Sequence, residues 1–149
     1  MRIYLDNCCY GRTYDDQKQI AIYDETLAII EIQKMIIEGK IELVTSFMLH
    51  YENGRKPNEE QKNKIERFFK TYRKIHVGVE NAEVLEEKII EIMKTGVKRR
   101  DATHIASSIF TNCDYFVTVD DRLLRYKSNE IEIVNPVYLA KKLEVNPNE

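Results

Sequence analysis

Short apolar runs alternate along the chain with longer segments whose apolar residues recur every three or four positions, the signature of strands separated by helices. The first run, Arg2 to Leu5, ends directly in Asp6 and Asn7. Tyr10 to Lys18 is polar, carries Gly11, Asp15 and Asp16, and reads as a surface loop. Ile20, Tyr23, Leu27, Ile30 and Ile37 then recur at helical spacing up to a terminating Gly39, which predicts a long helix with that face buried against a sheet. Ile41 to Thr45 predicts a second strand, and Ser46 caps a helix that carries Phe47, Leu49, Tyr51 and Glu52 as far as Gly54.

Asn58 with Gln61 resembles a capping box opening a helix through Ile65, Phe68, Phe69 and Tyr72, and Ile75 to Val79 follows as a third strand. Asn81 starts a helix through Leu85, Ile89, Ile92 and Met93 to Gly96. The next segment, Lys98 to Ser108, is rich in small residues that suit close packing on a sheet, with Asp101 in its first turn, where a negative charge favours the helix dipole. A fourth strand from Tyr115 ends at Asp120, Asp121 to Tyr126 forms a short helix or turn, Ile131 to Val134 is a fifth strand, and Pro136 opens a last helix. Strands joined by helical crossovers must be parallel neighbours. The expected fold is therefore α/β, a three-layer α/β/α sandwich around a mainly parallel sheet of four to five strands. One domain is expected over residues 1–145, with a frayed tail at 146–149.

In such a sheet Asp6 and Asp120 both emerge at the carboxyl edge, where open α/β folds place their ligands. Glu52 and Asp101 lie on nearby helices. Carboxylates gathered there repel one another, by about 4 kcal/mol for a pair 4 Å apart at an effective dielectric near 20. Raised carboxyl pKa values, basic partners or a divalent ion would offset that. Oxygen-only ligands favour Mg2+ or Mn2+ over zinc. Cys8, Cys9 and Cys113 form an odd set that argues against a disulfide framework, and with His50, His76 and His104 they lack zinc-site spacing. Each acid also has a plainer reading, since a lone Asp after a strand commonly starts a turn or caps a helix. Glu59 and Glu60 are rivals of Glu52 set farther from the edge. Asp121 rivals Asp120, which the register favours.

The net charge of −2 excludes a uniformly basic nucleic-acid binder but not a basic rim around an acidic pocket. Arg12, Arg55, Lys56, Lys98, Arg99, Arg100, Arg122, Arg125 and Lys127 are all close in sequence to an acid or its loop, and phosphates are their natural partners. Of these, Arg12, Arg55, Lys98, Arg99, Arg100 and Arg122 are the candidate substrate contacts. Tyr10, Tyr14 and Tyr51 are candidates for stacking on unpaired bases. Asn7 and Thr118 either support water at an ion or finish the strand ends. His104, three residues beyond Asp101, is read as a satisfied buried histidine without a catalytic role. No apolar run approaches the roughly 20 residues needed to span a bilayer, so no membrane association and a cytoplasmic location are expected.

The series Tyr4-Leu5-Asp6-Asn7, Tyr51-Glu52, Arg100-Asp101-Ala102-Thr103-His104-Ile105-Ala106 and Phe116-Val117-Thr118-Val119-Asp120-Asp121 resembles the PIN-domain family of metal-dependent nucleases. The resemblance covers almost the whole chain, and Thr118-x-Asp120 is its most specific piece. It implies a PIN-like sandwich whose acidic quartet, Asp6, Glu52, Asp101 and Asp120, binds Mg2+ or Mn2+ and cuts phosphodiester bonds, usually in RNA, with Asn7, Thr118 and Asp121 in support. It also implies a homodimer and, as in many bacterial and archaeal relatives, an antitoxin partner that holds a toxin inactive. A PIN-like module that binds RNA or a protein without cutting is the alternative.

Overall fold

A computed structural model describes residues 1–145, and the tail expected at 146–149 lies outside the described residues. The elements run β1 (Arg2–Leu5), α1 (Asn7–Arg12), α2 (Ile20–Ile37), β2 (Glu42–Ser46), α3 (Phe47–Gly54), α4 (Glu59–Tyr72) and β3 (Arg73–Val77). They continue, after a 3-10 turn at Val79–Asn81, with α5 (Ala82–Met93), α6 (Arg99–Phe110), β4 (Tyr115–Val117), α7 (Asp121–Leu124), β5 (Glu132–Val134) and α8 (Pro136–Val145). The strands form one sheet in the order β3-β2-β1-β4-β5, and every pairing is parallel. Helices cover it, α2 packing on α8 and α5 on α6, which makes the three-layer α/β/α sandwich expected from the alternation.

Because both faces are covered, the central strands are buried without alternation: Ile3, Tyr4 and Leu5 of β1 are all fully inaccessible, as are Leu43 and Val44 beside them. The order has a topological consequence. The chain builds outward from β1 through β2 to β3 and then returns to the other side of β1 for β4 and β5, so the direction of winding reverses between β1 and β4. Such a switch point opens a crevice at the carboxyl ends of the two strands. Asp6 follows β1 directly, and Asp120 lies three residues beyond β4.

The largest departure concerns α2. Ile20, Tyr23, Leu27, Ile30 and Ile37, expected against the sheet, face outward with exposures from 49% for Leu27 to 78% for Ile20, while Ala28, Ile29, Ile32 and Ile36 are buried. The helix is apolar on two sides, so its period fits two stripes equally well; only tertiary packing selects which one meets the sheet.

The loop expected at Tyr10 to Lys18 begins instead as the end of α1. Asp6 caps this helix, and Tyr10 is buried edge-on against Phe69 (ring centroids 4.8 Å apart) and Phe68 (6.1 Å), which removes it as a base-stacking candidate. Polar neighbours and Gly11 concealed that anchor. Strand β3 starts at Arg73 rather than Ile75, drawn earlier by its pairing with Leu43 and Val44, and Val79 is left exposed in the 3-10 turn. Strand β4 stops at Val117, short of Asp120.

Asn58 Oδ1 accepts from Gln61 N (3.0 Å) at the start of α4, satisfying one of the amides a helix leaves without an internal partner. Asn58→Ala should therefore cost about 1 kcal/mol. A urea titration followed by circular dichroism checks it, with an unchanged midpoint counting against the cap. The three cysteines are free thiols. Among the described residues no helix is long and apolar enough to cross a membrane.

Candidate metal centre

Asp6, only 5% exposed, is held by both carboxylate oxygens. Oδ1 accepts from Asn7 N (2.8 Å) at the cap of α1, and Oδ2 accepts from Thr118 Oγ1 (2.8 Å) and, more weakly, Cys8 Sγ (3.4 Å). Thr118 Oγ1 in turn accepts from Asp120 N (3.1 Å), so one buried hydroxyl ties the acid after β1 to the backbone of the acid after β4. Asp120 caps α7 through Arg122 N (2.9 Å) and pairs with Arg122 Nη2 (3.2 Å). Burial pushes Asp120 up, but the side-chain and backbone hydrogen bonds and the charge of Arg122 outweigh it and leave this carboxyl below its ordinary value. The plain capping role and the shared edge thus coexist in Asp6 and Asp120. Asp121 is exposed.

Asp101, in the first turn of α6, shows the convergence most directly. Burial and then the charge of Asp6 push its carboxyl above the ordinary range; His104 opposes them, and Asp120 and Glu52 add smaller upward contributions. Each of the other three acids is therefore within electrostatic reach of the fourth. Glu59 and Glu60 are exposed at the start of α4 and pair with Lys62 and Lys64.

Glu52 is oriented from below. His104 Nε2 is hydrogen-bonded to Glu52 Oε1, His104 Nδ1 lies 2.6 Å from Tyr4 Oη, and Tyr4 Oη lies 2.6 Å from Ser46 Oγ. Tyr4, Ser46 and His104 are all fully buried. Facing a carboxylate, Nε2 carries a proton. The Tyr4 hydroxyl can donate to Nδ1 or accept from it, and the serine hydroxyl adjusts in turn, so no member of the ladder is stranded. Burial pulls His104 down, but the hydrogen bond to Glu52 and the charges of Asp6, Glu52 and Asp101 more than reverse this and leave it raised. His104 is satisfied, as expected, but its partner is one of the acids. That link spans 52 residues of sequence. The available signal was a polar ring among small residues on a helix packed against a sheet, which needs a partner.

The basic residues divide into two groups. Arg12 is engaged with Asp15 (3.0 Å) and Glu25 (3.2 Å), and Arg99 forks onto Glu86 (3.0 Å), so both are committed to other carboxylates. Arg55 and Arg100 instead flank the exposed ring of Tyr51, their guanidinium carbons 5.6 and 5.7 Å from its centroid. Tyr51 and Arg100 immediately precede Glu52 and Asp101, which places this cation–aromatic group beside the acids. Lys98 and Arg122 line a cavity that Asp101 also borders. Lys56 adds an amine without a hydrogen-bond partner among the described residues, lowered by burial although Glu52 opposes the shift.

The residues present fit a hard divalent cation. One ligand atom from each of Asp6, Glu52 and His104 lies within 4.8 Å of the others, a group that includes neither Asp101 nor Asp120, and Asn7 Oδ1 is buried beside Asp6 with no donor among the described residues. With both ring nitrogens of His104 engaged inside the protein, carboxylate and carbonyl oxygens are the ligands that remain, a donor set suited to Mg2+ or Mn2+. Thr118→Val removes the hydroxyl that fixes Asp6 and should destabilise the fold by about 1–3 kcal/mol. Ion affinity should fall by roughly 10–100-fold, as for a residue that orients a ligand. Calorimetric titration checks the second effect, and full affinity in Thr118→Val would remove Thr118 from that role.

No family model and no curated protein matches this chain. Solved structures do share its fold. VapBC2 from Rickettsia felis, bound to a DNA fragment from their promoter, is 14% identical with a TM-score of 0.57, over 91% of this chain and 98% of the matched one. FitAcB from Neisseria gonorrhoeae is 13% identical with a TM-score of 0.55, over 90% and 97%. At these identities the likeness is one of fold, and that fold is PIN-like.

Proposed function

We propose that residues 1–145 act as one PIN-like nuclease domain, a Mg2+- or Mn2+-dependent endoribonuclease that hydrolyses phosphodiester bonds of single-stranded or structured RNA in the cytoplasm. The observation that carries this reading is the arrangement at the switch point of the sheet, where Thr118 ties Asp6 to the backbone of Asp120 and a carboxylate oxygen of Glu52 lies within 4.8 Å of one of Asp6, with Asp101 raised by burial and by their charges. Asp6, Glu52, Asp101 and Asp120 hold the ion, with Asn7 and Thr118 fixing Asp6 and its surroundings. A bound divalent ion supplies Lewis acidity toward the phosphate and its attacking water.

The protein's own contribution is arrangement. Thr118 and the α1 amide fix the direction of Asp6, and the Tyr4–His104 ladder fixes Glu52. The Arg122 pair holds the Asp120 carboxyl below its ordinary value. Arg55, Arg100 and Tyr51 offer charge and a ring face to an incoming strand.

We further propose the toxin's place in a toxin–antitoxin pair. This rests on the PIN-domain resemblance and on the fold shared with VapBC2 and FitAcB. The outward stripe of α2 supports a protein contact, with an antitoxin or a second copy of the chain, because five exposed large apolar side chains on one helix are unusual on a surface that meets only water. Cleavage of an unstructured fluorescent RNA in Mg2+ or Mn2+, wild type beside Asp101→Asn, tests the nuclease reading. Wild-type cutting that the variant lacks supports it. RNA recovered intact from a tight wild-type complex in both ions would replace it with the binding-module reading.

A further inference from the structure

The acids and the Tyr51 group leave one feature beside them unused, an open cavity of ≈ 300 Å³ between the approach to α6 and the end of α7. Asp101 forms part of its wall, so the cavity and the acidic pocket share a side chain. Val97, Leu123 and Tyr126 supply apolar lining, Leu123 buried and the other two half-buried. Lys98, Arg122 and Arg125 supply positive charge, all three exposed. Arg122 is held by Asp120, whereas Lys98 and Arg125 have no ion-pair partner among the described residues.

We propose that this cavity receives one unpaired nucleotide adjacent to the phosphate that is cut, with its base against Val97, Leu123 and Tyr126 and its phosphate oxygens on Lys98 and Arg125. The inference rests on the nuclease reading and narrows its substrate to a strand that is unpaired at this position. Three observations carry it. The volume is at the small end of ligand pockets, roughly 300–1,000 Å³, and suits a single nucleotide rather than a base pair. The lining is divided as a nucleotide is divided, apolar and aromatic surface for the flat base and cations for the phosphate, and stacking on such a surface tolerates any base. Asp101 and Arg122, the latter paired with Asp120, both line the cavity, which makes a nucleotide seated there a neighbour of two of the proposed acids. Lys98 and Arg125 also bring uncommitted positive charge to an edge that four carboxylates would otherwise make repulsive to RNA. A base within a duplex would have to leave its stack to enter, at an energetic cost that an unpaired base avoids.

The test compares wild type with Arg125→Ala, Tyr126→Ala and the double variant. Binding of a labelled, non-self-complementary pentaribonucleotide is followed by fluorescence anisotropy in Ca2+, and cleavage of the same oligonucleotide is followed in Mg2+. A fully paired RNA duplex serves as the competing ligand. The double variant is expected to bind the pentamer about 10-fold or more weakly, within the range for losing a stacking platform, with KM raised and kcat little changed. The duplex is expected to compete poorly with the pentamer on wild type. Arg125→Ala, an exposed substitution, carries the comparison alone should Tyr126→Ala loosen the packing of α7.

Unchanged pentamer affinity and KM in Arg125→Ala and in the double variant would overturn the proposal, as would a duplex that competes as well as the single strand. Binding that depends on Arg125 and Tyr126 without cleavage by wild type in any divalent ion would sink the nuclease reading and leave the nucleotide site standing. Wild-type cleavage that ignores both substitutions would do the reverse.

Discussion

Asp101→Asn should leave the protein folded and slow RNA cleavage by at least about 10²–10³-fold, more than the roughly 10–100-fold expected for a residue that only orients a ligand. The variant replaces one anionic oxygen by an amide of nearly the same shape in a carboxyl on which the charges of Asp6, Asp120 and Glu52 act. Without metal, the fold holds ionised Asp101 against burial and three like charges, so the native state binds this proton more tightly than the unfolded chain does. Ionisation of Asp101 therefore lowers stability as pH rises from the ordinary 3.8 through the raised folded value. Asp101→Asn lacks this loss. Its advantage over the metal-free wild type should grow across that window and then level off.

Adding a divalent ion should reverse the order. A ligand at 100 times its Kd stabilises the native state by about 2.7 kcal/mol, a rise in Tm on the order of 5–10 °C for a chain of this size. Wild type should show that rise with Mg2+ or Mn2+, and Asp101→Asn should lose most of it. Differential scanning fluorimetry across pH, with and without ion, measures both effects. Equal ion-induced shifts in the two proteins would mean that Asp101 does not help hold the ion.

The parts of this site visible in the sequence are those encoded locally. An Asp directly after an apolar run lies at a sheet edge whatever the rest of the chain does, and Asp101 is legible in the same way, in the first turn of a helix of small residues. The parts not visible depend on partners far along the chain. Arg12 and Arg99 look like phosphate contacts until Glu25 and Glu86, on other helices, are brought against them. Tyr10 looks like part of a polar loop until Phe68 and Phe69 of α4 close over it. In α2 the period was legible and the direction was not, because both stripes satisfy it. His104 reads from the sequence as buried and satisfied, yet which acid satisfies it depends on α3 and α6 meeting.

His104→Leu should reduce cleavage and ion affinity by roughly 10–100-fold, the range for a group that fixes a ligand's direction. It should also destabilise the protein by about 3 kcal/mol, toward the lower end for breaking a buried pair, since the Glu52 side chain retains 18% exposure. Tyr4→Phe provides a graded comparison. It keeps the ring stacked on Phe116, 5.4 Å between centroids, and strands only the hydroxyl partners, at about 1–3 kcal/mol. The decisive protein is the double variant His104→Leu with Glu52→Leu. Replacing both members of a buried polar pair with apolar side chains is often neutral or stabilising, so much of the stability lost in His104→Leu should return. Cleavage and ion binding should not return, because the carboxylate itself is gone. Denaturant unfolding beside calorimetric ion titration separates the two effects. If His104→Leu bound the ion and cut RNA like wild type, the ladder would serve the core alone. If it lost ion affinity while the double variant regained stability, the cost of burying Tyr4, His104 and Ser46 beneath the sheet edge would be explained by the direction they impose on Glu52.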